Sequence, residues 1–449
     1  MSHPYLALTD ADREEMLRTI GVSSVDELFG DIPAGVRLDR PLDLEPALSE
    51  HELSAHLTEL AARNRDATRE LSFLGAGIYD HYVPAVVDAV LQRGEFLTAY
   101  TPYQPEMSQG VLQAIFEYQT AICELTGMDV SNASGYDGTT VTADACYIAK
   151  HVTGKTKVVV TETTNPQVRQ VVKTYAPGFG LEVVEVAHRG GTTDPDEVRA
   201  AAEGAACVIF QQPNVFGCLE PAPELAAAAN DAEALAIAHV DPLSLGVLEA
   251  PARYGCAIAL GEGQAAGNFP AYGGPHYGFL AARQEFIRRM PGRIVGETVD
   301  TAGERGYFLT LQTREQHIRR EKATSNITTN QTLLALGGLV YLTWLGPQGL
   351  RELGETCLAL SAYAKQQLQE RAGLEAMFSD RATFKEFAVR VGRNARAVIS
   401  AAREHGVHPG YALGRDYEGM DDVLLVAVTE KRTPAEIDRL ADVLAEVAA

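Results

Sequence analysis

From about residue 156 onward, short runs rich in β-branched and apolar residues alternate with stretches that have a helical pattern. The β-rich runs are TKVVVTE, LEVVEV, ACVIFQQ, ALAIAHV, GCAIAL and YGFLAAR. Segments such as PDEVRAAAEG and APELAAAANDAE separate them. Such alternation is typical of a mainly parallel sheet that is covered by helices on both faces. The sequence therefore predicts an α/β fold, in which ligands bind at the carboxyl ends of the strands.

Two further regions flank this α/β core. Residues 1–72 are polar, with apolar residues every three to four positions, which predicts a helical N-terminal arm that packs on another surface. After the large domain, 73–330, a long helix from about Thr328 to Leu345 opens the third region, 331–449. This region adds two strand candidates, EFAVRV and DVLLVAV, between amphipathic helices, and we expect a smaller α+β C-terminal domain there.

The charge and cysteine content exclude several classes of function. A formal net charge of −22 makes nucleic acid an improbable partner, because phosphate contacts need clustered Lys and Arg. The longest apolar stretch, Leu333 to Leu345, is too short to span a bilayer and predicts a buried helix. The six cysteines include no C-x-x-C pair, so we expect neither a disulfide framework nor a metal site. The N-terminal segment lacks the features of a signal or transit peptide, which predicts a cytoplasmic protein.

Two loops ahead of predicted helices carry side chains that could contact a ligand. Tyr100 and Tyr103 flank a turn in which Pro102 and Pro105 fix the backbone. This loop either lines a pocket or forms an ordinary packed turn. The next loop, SNASGYDGTTVTADA, offers N–H groups and hydroxyls to an anion, but a plain helix N-cap has the same composition.

The strand candidate ALAIAHV ends in Asp241, at the position where parallel sheets place functional side chains. A carboxylate there could hold the pyridinium nitrogen of pyridoxal phosphate (PLP), and a structural Asp-Pro turn explains it equally well. After the next strand comes a glycine-rich run, GEGQAAGNFPAYGGPHYGF, with aromatic residues between the glycines. This composition favours close approach of the backbone to a ligand or to another chain.

A cationic run stands out in so acidic a chain. The segment TREQHIRREKATSNITTNQ contains Arg314, Arg319, Arg320 and Lys322 ahead of two residues, Ser325 and Asn326, that can cap the following helix. These cations either bind a carboxylate, a phosphate or an acidic partner surface, or form internal salt bridges.

Taken together, these motifs resemble the P-protein of the glycine cleavage system, glycine dehydrogenase (decarboxylating), which many prokaryotes split into two chains. The resemblance runs from about Phe73 to Leu350. It is carried by FLGAGIYDHYVP, YTPYQPEMSQG, YQTAICELTG, MPGRIVGETVD and LQTREQHIRREKATSNI. The resemblance implies a PLP-dependent transferase fold of the aspartate-aminotransferase type, fold type I, with PLP bound near the interface of paired subunits.

The family's catalytic half has a lysine shortly before the glycine-rich run, and this lysine forms a Schiff base with PLP. Here the corresponding position is Gln264, and no lysine occurs between Lys173 and Lys322. An amide is not a usable nucleophile towards an aldehyde. The chain therefore resembles the family's non-lysine subunit, and no catalytic residue is assigned to it with certainty.

The resemblance also implies partners. A lysine-bearing second subunit would bind PLP, most simply in an α2β2 assembly, decarboxylate glycine and pass the aminomethyl group to the lipoyl arm of H-protein. From this chain the candidates to reach that site are His81, Tyr82, Tyr100, Tyr103 and Gln104, whereas Asp241 keeps the pyridinium-partner position without the cofactor. Two alternatives remain: a purely structural subunit that never touches substrate, and an independent PLP enzyme that uses an unexpected lysine.

Overall fold

The computed structural model describes residues 5–38, 40–325, 327 and 330–448. The described helices are α1 (Asp10–Ile20), α2 (Glu50–Ala61), α3 (Ala85–Leu91), α4 (Gly94–Leu97), α5 (Gln109–Thr126), α6 (Gly138–Thr153), α7 (Pro166–Phe179), α8 (Pro195–Ala202), α9 (Ala222–Asp231), α10 (Gln316–Arg319), α11 (Thr332–Ala372), α12 (Ala395–Glu404) and α13 (Pro434–Val447). By contact the chain divides into two units, Met1–Arg65 and Asp66–Ala449.

The strands all lie in the second unit. They are β1 (Leu71–Ser72), β2 (Val130–Ser131), β3 (Lys157–Thr161), β4 (Glu182–Val186), β5 (His188–Arg189), β6 (Thr192–Thr193), β7 (Ala205–Gln212), β8 (Leu235–Val240), β9 (Ile258–Glu262), β10 (Gly278–Ala282), β11 (Ile294–Val299), β12 (Arg305–Thr310), β13 (Glu386–Arg390), β14 (Val407–His408), β15 (Tyr411–Ala412) and β16 (Val423–Ala427). Each β-rich run of the sequence contains a strand at the expected place.

A seven-stranded sheet forms the centre of the second unit, in the order β2-β10-β9-β8-β7-β3-β4. The neighbours among β9, β8, β7, β3 and β4 pair in parallel, whereas β10 is antiparallel to both of its neighbours. Core side chains pack on both faces of this sheet, and Ala-rich α9 approaches closely on one face because its side chains are small. The predicted mainly parallel α/β sheet is confirmed.

The sheet reverses direction at the glycine-rich run, which connects β9 to antiparallel β10. This run packs tightly, as Gly263 shows: a Cβ atom there would lie 2.2 Å from the ring of Tyr277. Only glycine fits such a contact. Close approach of the backbone, predicted from the composition, is therefore an approach to the chain's own core at this position.

The C-terminal lobe has its own antiparallel sheet, β13-β16-β15, covered by α12 and α13. Strand β1 pairs in parallel with β14 of this lobe, and Phe73 lies in its core. Residues 66–72, which the sequence placed in the N-terminal arm, thus belong to the second unit.

Helix α11 is long and apolar enough, by length and composition alone, to be a candidate membrane span, with a mean hydropathy of 1.3 in its most apolar window. The helix is broken at Gly346, which has φ 60°, and Pro347 follows. The part before the break is shorter than the roughly 20 residues that a membrane span needs. It packs against α3 and α5, but only a third of the window is buried, so the expected buried helix is buried on one face.

The first unit consists of α1, α2 and the segments between and beside them. Both helices begin with a capping box, at Thr9 and Ser49, in which the cap hydroxyl and a carboxylate three residues on satisfy the first N–H groups. Neither helix buries a residue, and apolar side chains such as Ile20, Phe29 and Leu57 are exposed. The predicted helical arm is present in this unit.

Candidate functional site

Asp241 follows directly after β8, at the carboxyl end of the central sheet. Its Oδ1 accepts a hydrogen bond from the N–H of Leu243 at 3.0 Å, which is the structural turn that the sequence offered as one interpretation. Its Oδ2 lies 2.6 Å from Nζ of Lys385. Asp241 therefore serves both the local turn and an ion pair, and the position expected for a pyridinium nitrogen is taken by a lysine ammonium.

Lys385 reaches this position from the residue just before β13. Its side chain is only 2% exposed. Besides Asp241, its ammonium donates to Nε2 of His81 at 2.9 Å and lies 3.5 Å from the ring centroid of Tyr79. A buried ammonium must be paired and hydrogen-bonded to avoid a large desolvation cost, and these three contacts meet that requirement.

His81 extends the network towards the segment that follows β16. Burial and the adjacent Lys385 ammonium lower the pKa of His81, so its imidazole is neutral. Because Nε2 accepts from Lys385, the ring proton lies on Nδ1 and is donated to Glu430 at 2.6 Å. The backbone N–H of Tyr82 also donates to Glu430, at 2.7 Å. Burial opposes charge on Glu430, but these hydrogen bonds outweigh it and lower its pKa.

Gln264 is fully buried, and hydrogen bonds occupy both ends of its amide. Its Oε1 accepts from the N–H of Tyr79 at 2.8 Å, and its Nε2 donates to the carbonyl oxygens of Tyr79 and Asn268 at 2.9 and 2.7 Å. The side chain at the expected lysine position thus makes two hydrogen bonds with the backbone of Tyr79, one as acceptor and one as donor.

The start of α6 has the helix N-cap that was one interpretation of the loop SNASGYDGTTVTADA. Asp137 is the N-cap, and its Oδ1 accepts from the N–H of Thr140 at 2.7 Å. Glu262 accepts from the N–H of Gly138 at 2.9 Å. Burial, with a smaller contribution from Asp137, raises the pKa of Glu262 to about 8, so it is a neutral acid near pH 7. Two of the N–H groups that could bind a phosphate, those of Gly138 and Thr140, are therefore used by the chain's own carboxyl groups.

Two small cavities remain beside Asp241. One has a volume of about 20 Å³ and the other about 30 Å³. Such volumes hold a water molecule or two, whereas ligand pockets usually measure about 300–1,000 Å³. His239 lines the larger cavity, and neither of its ring nitrogens has a partner among the described residues, which makes it a site for a buried water.

PLP does not fit this site. The position for its pyridine nitrogen is filled by Lys385, the helix N–H groups for its phosphate are filled by Asp137 and Glu262, and Gln264 supplies no amine. The space between these residues is too small for its ring.

One group of side chains has the composition of a metal site. Ligand atoms of His81, Cys357 and Glu430 lie within 4.8 Å of one another. However, the Lys385 ammonium sits on the other nitrogen of His81, and burial raises the pKa of Cys357 to about 12, so it remains a thiol. Zn²⁺ binds the thiolate and the neutral imidazole nitrogen, and here the Nδ1 proton is committed to Glu430. Hydrogen bonds to Glu430 explain why these three side chains lie close together.

The other predicted site residues differ in their accessibility. Tyr82 is 53% exposed and Tyr100 81% exposed, and Tyr103 and Gln104 also lie at the surface. Tyr103 is held from one side because its hydroxyl accepts from Nη2 of Arg293 at 3.2 Å. His81 is buried in the internal network, and its side chain is used by contacts with Lys385 and Glu430.

The cationic run divides into two parts. Arg314 is buried and donates to the carbonyl oxygens of Leu311, Met290 and Gly292, so it holds the fold together. The remaining cations, Arg319, Arg320 and Lys322, are exposed. No ion pair is recorded for these three within the described part of the chain.

Ser325 does not cap α11 as expected. Ser325 accepts from the N–H of Ile327 in a turn, because α11 begins only at Thr332, later than the predicted Thr328. Asn326, the other predicted capping residue, lies outside the described residues.

Sequence reasoning missed Lys385, Glu430 and Tyr79. Lys385 immediately precedes the strand candidate EFAVRV and is one of only eight lysines in the chain. A lysine at the start of an otherwise apolar strand is a signal for a buried ion pair, but nothing in the sequence indicates that its partner is Asp241.

Comparison with known proteins places the chain in a family. The family model described as glycine cleavage system P-protein matches residues 3–444. A relative from Carboxydothermus hydrogenoformans, named probable glycine dehydrogenase (decarboxylating) subunit 1, is 51% identical over 441 residues, which cover 98% of this chain and 99% of the relative. A relative of the same name from Bacillus subtilis is 49% identical over 441 residues, 98% of each chain.

Comparison with solved structures points to the same family. A crystal structure of glycine decarboxylase (P-protein) of the glycine cleavage system, in an inhibitor-bound form, matches with a TM-score of 0.91 and 43% identity, covering 99% of this chain and 100% of that one. Sphingosine-1-phosphate lyase from Burkholderia pseudomallei matches with a TM-score of 0.64 at 15% identity, covering 92% and 93%, which shows the fold alone. These matches confirm the predicted fold type I architecture. The chain belongs to the glycine cleavage system P-protein family.

Proposed function

We propose that this chain is the subunit of glycine decarboxylase that carries no cofactor, and that it works only with a lysine-bearing partner subunit. The observation that supports this most is Gln264, a buried amide at the expected lysine position whose hydrogen bonds are all internal. PLP belongs to the family's chemistry, and on this proposal the partner subunit binds it.

The complex decarboxylates glycine and transfers the remaining aminomethyl group to the lipoyl arm of H-protein. PLP, when bound by the partner, supplies an electron sink for the bond to the departing carboxylate. This chain binds the partner, completes the walls of the partner's site and keeps water from it. Glycine, H-protein and the lysine-bearing chain are the proposed substrate and partners, and the cytoplasm is the proposed location.

The contribution of this chain to the partner's site comes from side chains that are already at the surface: Tyr82, Tyr100, Tyr103 and Gln104. The tyrosines combine an apolar ring with a hydroxyl, which suits them to a half-buried site. Arg293 holds the Tyr103 hydroxyl in position before any partner binds. His81 is left out of this set because it is buried.

Exposed apolar side chains support association with a partner subunit, for which α2β2 is the simplest assembly. The helices of the first unit bury no residue, and Tyr100, Met107 and Trp344 of the second unit are more than half exposed. Apolar surface of this kind in a large chain is typical of an interface.

An independent PLP enzyme is disfavoured by the position of Lys385. Its Nζ is committed to Asp241, at the place of the pyridine nitrogen, and the same ammonium cannot bond covalently to the aldehyde at the opposite side of the ring. The remaining alternative, a purely structural subunit, is separated from the proposal by an experiment on the tyrosines.

The experiment replaces Tyr100 or Tyr103 by Phe and measures glycine decarboxylation by the assembled two-chain enzyme with lipoylated H-protein. We expect the rate to fall about tenfold or more while the two chains still co-elute, because a lost active-site hydroxyl costs roughly 1.4 kcal/mol or more. Tyr175→Phe, on α7, is the matched control and should leave the rate unchanged. Full activity of both loop variants would favour the structural subunit.

A further inference from the structure

The aspartate that PLP enzymes use to hold the cofactor has a permanent counterion in this chain. The Asp241 side chain is mostly buried, and without a nearby cation its charge would be costly. In PLP enzymes the protonated pyridine nitrogen provides that cation. Here the Lys385 ammonium, at 2.6 Å, occupies the equivalent position.

The ion pair joins two sheets. Asp241 ends β8 of the central sheet, and Lys385 precedes β13 of the C-terminal sheet. Next to it, Glu386 of β13 accepts from the Tyr79 hydroxyl at 2.6 Å and from the N–H of Ala76 at 2.7 Å. The loop 73–84 is thereby held between the two sheets.

Every residue from Tyr79 to Tyr82 is fixed by this surrounding network. Tyr79 pairs with Gln264, Asp80 forms ion pairs with Lys431 and Arg432, His81 bridges Lys385 and Glu430, and Tyr82 donates its N–H to Glu430. The outcome at the surface is a defined position for the Tyr82 side chain, whose ring centroid lies 6.5 Å from that of Trp344.

We infer that Lys385 is a built-in substitute for the cofactor: its ammonium neutralises Asp241 and holds His81 and Tyr79, and so fixes the segment Tyr79–Tyr82 in a chain that binds no PLP. Lys385 is a positioning residue. The inference concerns this chain alone and goes beyond the proposed function, because it holds whether or not Tyr82 touches a partner's substrate.

The test is chemical rescue of Lys385→Ala in the full-length chain, read by hydrogen exchange. The reporters are the backbone N–H groups of Tyr79 and Tyr82, which donate to Gln264 and Glu430. We expect both to exchange about tenfold faster or more in the variant, because local opening controls their exchange. Added n-propylammonium, which matches the three carbons and the ammonium lost from the side chain, should restore slow exchange, whereas n-propanol, which fills the same space without charge, should not.

Two further variants make the result specific. In Lys385→Ala with Asp241→Asn, the ammonium should have a smaller effect, since the carboxylate that it neutralises is gone and only its contacts with His81 and Tyr79 remain. Lys365→Ala is the control: its lysine donates to Thr383 in the same lobe and lies over the Phe387 ring, and its loss should leave the exchange of Tyr79 and Tyr82 unchanged.

If Lys385→Ala does not fold, the same comparison uses Lys385→Met with and without Asp241→Asn. We expect Lys385→Met to lower the melting temperature and to speed exchange of the two reporter groups, and the second substitution to recover part of both. Unchanged exchange in the lysine variants, or equal rescue by n-propanol and n-propylammonium, would overturn the inference.

Discussion

Asp241 and Glu262 are carboxyl groups at the ends of neighbouring strands, β8 and β9. The surroundings of Asp241 stabilise its negative charge, whereas those of Glu262 disfavour a negative charge. Asp241 faces the Lys385 ammonium. Glu262 accepts from the N–H groups of Gly138 and Gln264 and lies near Asp137, and burial raises its pKa to about 8. The site therefore stays close to electrically balanced without a phosphate or a pyridinium ion.

This difference predicts a pH dependence of stability for Glu262→Gln. A carboxyl group whose pKa is raised in the folded state contributes stability that is complete below its unfolded pKa, about 4.5, and is lost as the pH rises to about 8. Gln cannot ionise, so the free energy of unfolding should fall less between pH 5 and pH 8 in the variant, by roughly 1–3 kcal/mol. Urea titrations across this range measure the effect.

The pH dependence should not disappear in that variant. Asp144 and Glu386 are also buried carboxyl groups, and burial raises the pKa of each to about 7. Glu182→Gln, at an exposed position, is the control and should keep the wild-type slope. A Glu262→Gln slope equal to that of wild type would show that Glu262 is already charged in the fold.

At this scale the sequence predicted part of the site. Gln264 and Asp241 could be found because each stands at a fixed distance from a motif or a strand end. Lys385 could not, because its partner lies far away along the chain and β13 carries no motif that points to β8. The burial of His81 was missed for the same reason: both of its partners, Lys385 and Glu430, come from the C-terminal lobe.

At the scale of elements, patterns of apolar residues predicted the strands well, since the inner strands β3, β7, β8 and β9 of the parallel sheet are short buried runs. Sequence patterns predicted the start of α11 less well, because contacts with a distant part of the chain decide where this helix begins. Helix α11 begins at Thr332 because the preceding segment packs on the loop 132–134, where Gln331 donates to Ser134 and Asn330 to the carbonyl of Ala133. Local sequence around Thr328 gives no sign of this.

The exposed part of the cationic run yields a prediction for binding. Replacing Arg319 and Arg320 by Gln should weaken association with the lysine-bearing subunit or with H-protein, by about three- to thirtyfold at low salt and less at high salt, because screening shortens the range of exposed charges. The melting temperature of this chain should change little, since neither arginine has a recorded ion pair among the described residues. Affinity titrations at two ionic strengths measure the change.

Two variants control this experiment. Arg314→Gln removes a buried guanidinium that holds three carbonyl oxygens, and it should lower the melting temperature. Arg396→Gln with Arg403→Gln removes the same charge from exposed positions on α12 and should leave affinity unchanged. If the α12 pair weakens binding as much as Arg319 and Arg320 do, net charge alone explains the effect.

At the scale of the whole molecule, the chain has the fold of a PLP enzyme, but the residues around Asp241 do not fit the cofactor. The central sheet, the C-terminal lobe and the loop 73–84 are joined by a network that converges on Lys385 and Gln264. A chain of this kind, with exposed tyrosines in the second unit and exposed apolar side chains in the first, suits a subunit that completes another subunit's active site.

The most direct test of this account locates the cofactor. The two-chain enzyme is reconstituted with PLP, reduced with borohydride, digested and mapped by mass spectrometry, and decarboxylation of glycine is measured for each chain alone and for the mixture. We predict a reduced PLP adduct on one lysine of the partner subunit, no adduct on a specific lysine of this chain, and full activity only in the mixture. A stoichiometric adduct on Lys385 or any other lysine of this chain would contradict the account.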